Sequence, residues 1–530
     1  MRTWWVGVLL GLWLWAGATG QIAEARLRAG ASAVPITPFG QNPDWKGPAQ
    51  PSGLWGDEKN RIWMAGFGMN RPAEGRHDDL WARAIVLDAD DTRVALVSLD
   101  LIGYYQNAGF YGVDQVLKLL RPGLKLDAVI VSSTHNHEGP DTIGLWGPAL
   151  GQDGKYADYL QFVDRQIARA VNEAVERLVE VRARFGKSRP PALRALQVRT
   201  GYRPPHFFDD ELRVLQLTVQ WGKQRGSVLA TLVNWNTHPE SMESANRILT
   251  SDFPHFIREA IEKKYGGTAI YFSGDLGAAE IIGDAPLPKG DFEQIGSRRF
   301  PLNPKTRRPP VSFERTQAIG ETVAEAVFEA LDNGDDVPID LLRVRSYAIT
   351  SPITNPNYLA MVKAGVLTAA GGSISTTLYY LSLISKPSGG GLRAAAEFLT
   401  LPGEVFPELI YGVENFHRTD CPQAHTGRPY EPAIWPLLKA DYRFILGMAP
   451  DEYGYVVPQY DFVPLPPRPF PVGQQAPDAC AAMGVPAHYH ETNSVSYELA
   501  PAVTCGIVRL LGGSISSFPA CANFKAASEK

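Results

Sequence analysis

Two histidines, His135 and His137, stand one residue apart in VIVSSTHNHEGPD, residues 129–141. An apolar β-branched run precedes them and Gly139-Pro140 closes the stretch. Imidazoles at the end of a buried strand can ligate a metal or simply form a polar turn, and one His-x-His pair does not decide between them. A second stretch repeats the pattern. LVNWNTHPESM (232–242) is an apolar run that ends in Asn236, Thr237, His238 and Pro239. A hydrolytic zinc site takes about three nitrogen or oxygen ligands and keeps one position open for water, so a carboxylate is expected as well. AEFLTLPGEVFPEL (396–409) supplies Glu404 behind Gly403, where glycine permits the tight turn that aims the acid back at the strand ends. DEYGYVVPQYDF (451–462) adds Tyr453, Tyr455 and Tyr460, whose hydroxyls could ligate zinc or polarise a carbonyl, and whose rings could equally be packing.

These residues need elements to carry them. RVALVSLDL (93–101) and LDAVIVSST (126–134) read as buried strands, with VDQVLKLL (113–120) a helix between them. That is a strand–helix–strand unit, the usual start of a parallel sheet. Further along, a long helix over 159–181 is followed by a strand over 227–235, a helix over 253–265, a strand over 268–274 and a helix over 315–331. The alternation predicts an α/β fold with a mixed or parallel sheet flanked by helices. Strands of such sheets end in the crevice where ligands bind. Residues 364–385, AGVLTAAGGSISTTLYYLSLIS, hold no charge. They are rich in Gly, Ser and Thr, which suits buried or pocket-lining structure, or a membrane-surface contact, better than a bilayer span.

The chain has 530 residues, 45% hydrophobic and 20% charged, with a formal net charge of −5. There is no basic block, so a nucleic-acid partner is not expected. The first 25 residues read as an export signal: Arg2, an apolar core over 4–16, and the small-x-small site Ala23-Glu24-Ala25. All four cysteines, Cys421, Cys480, Cys505 and Cys521, lie in the last quarter without a Cys-x-x-Cys pair. In an exported chain they predict two disulfides, with neighbours in sequence the preferred pairing.

Taken in order, these segments resemble the catalytic domain of the neutral, non-lysosomal ceramidases. MAGFGMNRPAEGRHDDLWARAIVL (64–87) looks like the family's glycine-methionine stretch with its Gly-x-His and Arg-Ala strand start. SSTHNHEGP is similar to its Thr-His-Thr-His-Ser-Gly-Pro motif, and NWNTHPESM…LTSDFP to its Asn-Trp-Phe-x-x-His-x-x-Ser-Met…Ser-Asp motif. LPGE and YGYVVP correspond to its later Pro-Gly-Glu and tyrosine motifs. The resemblance covers about residues 28–510 and implies a signal peptide over 1–25 followed by one catalytic domain over 26–530 of ceramidase-like α/β fold. It places one Zn2+ on His135, His238, Glu404 and Tyr455. His137 and Tyr455 become the catalytic groups, with His137 close enough to donate to an oxyanion or shuttle a proton. His77 and Asp252 become candidates for lining or supporting the site, Asp252 either behind His238 or as a helix cap. His488 and His490 form another His-x-His pair with no matching partners.

One position departs from the family. FSGDLGA (272–278) falls at its Asn-x-Gly-Asp-x-Ser-Pro motif, but Gly277 stands at the serine, a residue held to be important for catalysis. The C-terminal immunoglobulin-like domain also has no room. What the resemblance implies is therefore an exported, zinc-dependent amidohydrolase that cleaves a linear amide of an N-acylated, lipid-like substrate by direct attack of water, with long-chain ceramide a poor substrate. The alternatives are a zinc hydrolase acting on another amide or ester, and a catalytically silent metal-containing binding protein.

Overall fold

The computed structural model of the chain describes residues 27–39, 44–47, 61–199, 207–277, 279–281, 290–369, 371–387, 390–412, 427–465, 469 and 489–524. The export signal, Cys421, Cys480 and His488 lie outside these residues.

Nine strands make the larger sheet: β1 (Arg28–Pro35), β2 (Trp81–Ala89), β3 (Thr92–Leu99), β4 (Ala128–Ser133), β5 (Val179–Ser188), β6 (Leu212–Val219), β7 (Val228–Trp235), β8 (Thr268–Ser273) and β9 (Asp335–Val337). Their order is β8-β7-β6-β5-β1-β2-β3-β4, with β9 beside β5. The sheet is mixed. Only β3–β4 and β7–β8 are parallel; they are joined through the helices α1 (Val113–Leu119) and α3 (Phe253–Tyr265). The remaining neighbours are antiparallel, so of the mixed or parallel sheet expected, the mixed form is present.

A second sheet, β10 (Leu341–Pro352), β11 (Ser373–Ser385), β12 (Arg393–Thr400) and β13 (Tyr442–Leu446), packs against the first. Strand period sorts the side chains between faces. On β2, Ala82, Ala84 and Val86 join α2 (Ala157–Glu176) in one core cluster, while Ile85 and Leu87 join Leu381, Leu383, Phe398 and Phe444 of the second sheet in another. On the outer side of β6 to β8, α3 and α4 (Phe313–Asp332) bury Ile257, Ile319 and Val323. Behind the second sheet lies α5 (Leu499–Leu510). Sheet packs on sheet, with helices outside both.

The charge-free stretch 364–385 is mostly β11, so it is sheet and not a helical span. No helix among the described residues is long and apolar enough to cross a membrane. Cys505 and Cys521 form a disulfide, a pairing of sequence neighbours as expected.

The two parallel units approach one another. Ser98 Oγ donates to Tyr271 O at 2.5 Å and Ser273 Oγ to Thr134 O at 2.7 Å. The end of β13 sits between them: Gly447 N–H donates to Ser273 O at 2.9 Å, and Gly447 O accepts from Ser132 Oγ at 2.8 Å. The carboxyl ends of β4, β7, β8 and β13 thus meet in one place.

Candidate metal centre

His135 leaves β4 two residues past its last ladder pair, Leu99↔Ser133, with φ 64°. A left-handed backbone at a residue with a Cβ costs about 1–3 kcal/mol and persists only where the surroundings impose it. Here the ring is tied: His135 Nδ1 donates to Ile102 O at 2.8 Å. His238 follows β7 and is tied in the same way, its Nδ1 donating to Ala279 O at 2.8 Å. A ligating imidazole commonly donates its far nitrogen to an oxygen, which fixes the tautomer and leaves Nε2 bare. The acceptors here are main-chain carbonyls. Asp252, a candidate for that role behind His238, instead caps α3 through Phe253 N–H at 2.6 Å and holds Ser241 by its N–H at 2.9 Å and its hydroxyl.

Glu404 meets both bare nitrogens. Its Oε2 lies 2.9 Å from His238 Nε2 and 3.5 Å from His135 Nε2. Gly403, at φ 105°, makes the turn that the sequence suggests, and a Cβ there would come 2.5 Å from Gly454 O. Glu404 pairs with Tyr455 across a two-residue parallel ladder. Tyr455 is buried, with its ring centroid 6.4 Å from that of His238. Two imidazole lone pairs facing one carboxylate call for a cation between them. The donor set of two Nε2 atoms and a carboxylate, with a tyrosine beside it, fits a zinc-like ion.

His137 completes the cluster. One nitrogen from each of His135, His137 and His238 lies within 4.8 Å of the others, a group that could hold a metal ion. Gly66 covers the His137 ring, where a Cβ would come 2.3 Å from Cγ, and Phe67 packs edge-on at 5.1 Å. Burial, reinforced by His135 and His238, pushes the His137 imidazole well below its ordinary value. Its Nδ1 is 3.3 Å from Glu240 Oε2, without the alignment of a hydrogen bond. Glu240 is itself pushed well up, first by burial and then by Glu280, Asp252 and Glu404. Behind the loop, Arg71 pairs with Glu138 at 2.9 Å, both fully buried, and donates to Ala65 O at 2.6 Å.

His135, His137, Glu404 and Tyr455 line a pocket of about 710 Å3, mouth included. Ile102, Ile143, Leu145, Trp146, Val362 and Leu367 make apolar walls, and Tyr105, Tyr358 and Tyr453 add aromatic rings. Val366 O accepts from Lys155 Nζ at 2.6 Å, which fastens one wall to the other. The charge-free stretch therefore contributes pocket wall at Leu367, Thr368, Ala369 and Ile374.

The other sequence candidates fall elsewhere. His77 is 36% exposed in its side chain, bonded to Asp78 at 2.9 Å and stacked on Phe313 at 3.8 Å, away from the pocket lining. His490 packs edge-on against Tyr455 at 4.6 Å. Tyr460 is buried and does not line the pocket. Gly277 N–H donates to Val405 O at 3.0 Å, placing that loop directly behind the Glu404 strand. Glu240 and Glu452, both at the site, carry no signal in the sequence beyond being acidic residues near motifs.

No protein-family model matches the sequence, and no curated protein matches it. Solved structures do. The chain aligns with neutral ceramidase from Pseudomonas aeruginosa over 96% of its own length and 78% of that protein's, with a TM-score of 0.60 and 15% identity. It has the neutral ceramidase fold. A ceramidase complexed with C2 aligns comparably, at TM-score 0.60 and 14% identity over 95% of this chain and 77% of the other. At such identity the likeness speaks for the ceramidase fold alone, and the chemistry must be argued from this chain's own residues.

Proposed function

We propose that the protein is an exported zinc-dependent hydrolase that cleaves the amide bond of an N-acylated, lipid-like substrate. One observation carries the reading: two imidazole Nε2 atoms, each set by a main-chain carbonyl, converge on Glu404, which lines an apolar pocket. In this reading His135, His238, Glu404 and Tyr455 hold one ion. When bound, zinc supplies a Lewis acid and lowers the pKa of its water from 15.7 toward about 7. The chain does the rest. The apolar walls hold the acyl chain and exclude water. His137 donates to the developing oxyanion, a contribution of about 3 kcal/mol for one such donor. Gly277 offers no hydroxyl, so water attacks directly and no acyl-enzyme forms.

A second reading, hydrolysis of a different amide or of an ester, is favoured by that same glycine. The export signal and the Cys505–Cys521 disulfide support a place outside the cytoplasm. Residues 26–530 form one catalytic unit. Exposed Ala364 and Gly365, together with exposed Thr368 in the pocket lining, offer the membrane-surface contact through 364–385 by which a lipid-like substrate would enter.

Elemental analysis of purified protein should find one zinc per chain, and His238→Ala should remove most of it. A screen of N-acyl amides and matched esters then reads the substrate class. Full metal occupancy in both His135→Ala and His238→Ala proteins would overturn the site. Metal without turnover on any amide or ester would leave the binding-protein alternative.

A further inference from the structure

Beside the metal centre stands a carboxyl group that the reading above does not use. Glu452 is 3% exposed and lines the same pocket as His135, His137, Glu404 and Tyr455. One of its oxygens is anchored: Gly454 N–H donates to Oε1 at 2.7 Å. The other oxygen, Oε2, is buried and has no hydrogen-bond partner among the described residues. Asp451 next to it differs, since its oxygens accept from Gln106 N–H at 2.7 Å and Thr376 Oγ1 at 2.5 Å.

The surroundings are shaped to hold Glu452 in place. A Cβ at Gly103 would come 2.5 Å from Glu452 Cβ and 2.6 Å from Cγ, so only glycine fits. Gly103 follows Ile102, whose carbonyl anchors His135, and its own carbonyl accepts from Thr142 Oγ1 at 2.6 Å. On the other side, Gly454 O accepts from Glu404 N–H at 3.0 Å. Glu452 is thus braced between the main-chain supports of two candidate ligands. A buried polar atom left unpaired in so constrained a position is unusual and asks for a partner from outside the protein.

We propose that Glu452 is a substrate-contacting residue: anchored on Gly454 through Oε1, it donates an Oε2 hydroxyl to an acceptor oxygen beside the bond being cleaved. The inference rests on the amidase reading for the identity of that oxygen. Among the described residues no cationic side chain is paired with Glu452, and burial, the largest influence on it, pushes its carboxyl well above its ordinary value, toward the form that can donate. A neutral acid has the donor that an acyl carbonyl or head-group oxygen needs. A ligand without such an oxygen leaves the hydroxyl unpaired, at a loss of about tenfold or more in affinity.

Glu452→Gln and Glu452→Leu separate the possibilities at equal metal content. Glutamine keeps an acceptor for Gly454 N–H and sets an amide donor where the hydroxyl was; leucine keeps the bulk and removes both. The Gln variant should keep kcat/KM on an N-acyl amide within about threefold, and the Leu variant should lose about 10- to 100-fold. The infrared difference between wild type and the Gln variant should contain a carboxylic-acid carbonyl band, and this measurement stands even if the Leu variant fails to fold. Equal activity of the Leu variant, equal loss in both variants, or a difference spectrum with carboxylate bands alone would each overturn the proposal. If the wild type cleaves no N-acyl amide, the amidase reading falls. Thermal stabilisation by a saturating long-chain N-acyl amide then decides on Glu452, which is refuted if the Leu variant is stabilised as much as the wild type.

Discussion

A side chain at position 277 would collide with main chain. A Cβ there comes 2.7 Å from the carbonyl oxygens of Glu404 and Val405. The backbone of Gly277 is not left-handed, so the constraint is close approach and not φ. This alters what Gly277→Ser would do. A serine placed here should not bring ceramidase chemistry with it, because the Glu404 strand must first move aside. Overpacking of this kind costs about 1–3 kcal/mol, and here it falls on the backbone of a candidate ligand. The expected outcome is a lower Tm together with reduced zinc content, read by calorimetry and elemental analysis on one preparation. A Gly277→Ser protein with unchanged Tm and full metal would show that the loop yields freely. His135 makes the complementary point, because its left-handed backbone is a strain that the fold accepts at the residue whose Nε2 the site needs.

Elements were legible where their signals are local. The helix read over 253–265 is Phe253–Tyr265, and the strands read over 126–134 and 268–274 are Ala128–Ser133 and Thr268–Ser273. Periodicity, a following glycine and β-branched runs are carried by neighbouring residues. The order of strands is not: β1 lies between β2 and β5 because of pairings that no short window contains. The candidate ligands were legible as strand exits, but the carbonyls of Ile102 and Ala279 that set their tautomers were not, since a main-chain oxygen has no sequence signature. Asp451 shows how such long-range joints behave. It links Gln106, in the loop after β3, to Thr376 on β11. Burial raises its carboxyl to about 7, against the pull of those two hydrogen bonds. The folded state thus favours the protonated form. Its contribution to stability is complete below the ordinary aspartate range and is lost as pH rises through about 7. Asp451→Asn keeps both bonds, with the Thr376 hydroxyl reversed, and removes the titration. Between about pH 5 and pH 8 the wild-type Tm should therefore fall more steeply than that of the variant. Parallel curves at constant metal content would refute this.

For the whole molecule, one apolar cluster runs from Leu27 to Ala449 and takes residues from both sheets. Limited proteolysis should therefore nick surface loops without freeing a folded tail. A stable fragment starting near residue 410 would show that the chain divides. The candidate ligands are distributed across the same seam. His135 and His238 leave strands of the nine-stranded sheet, while Glu404 and Tyr455 follow β12 and β13 of the other. An ion gathered by all four would act as a rivet between the two layers. Its affinity would then add to cohesion by mass action, about 4 kcal/mol when free ion stands a thousandfold above its dissociation constant. The availability of zinc in the surrounding medium would decide how firmly the protein holds together, and a cell that withheld the metal would loosen the structure at the joint where its substrate is bound.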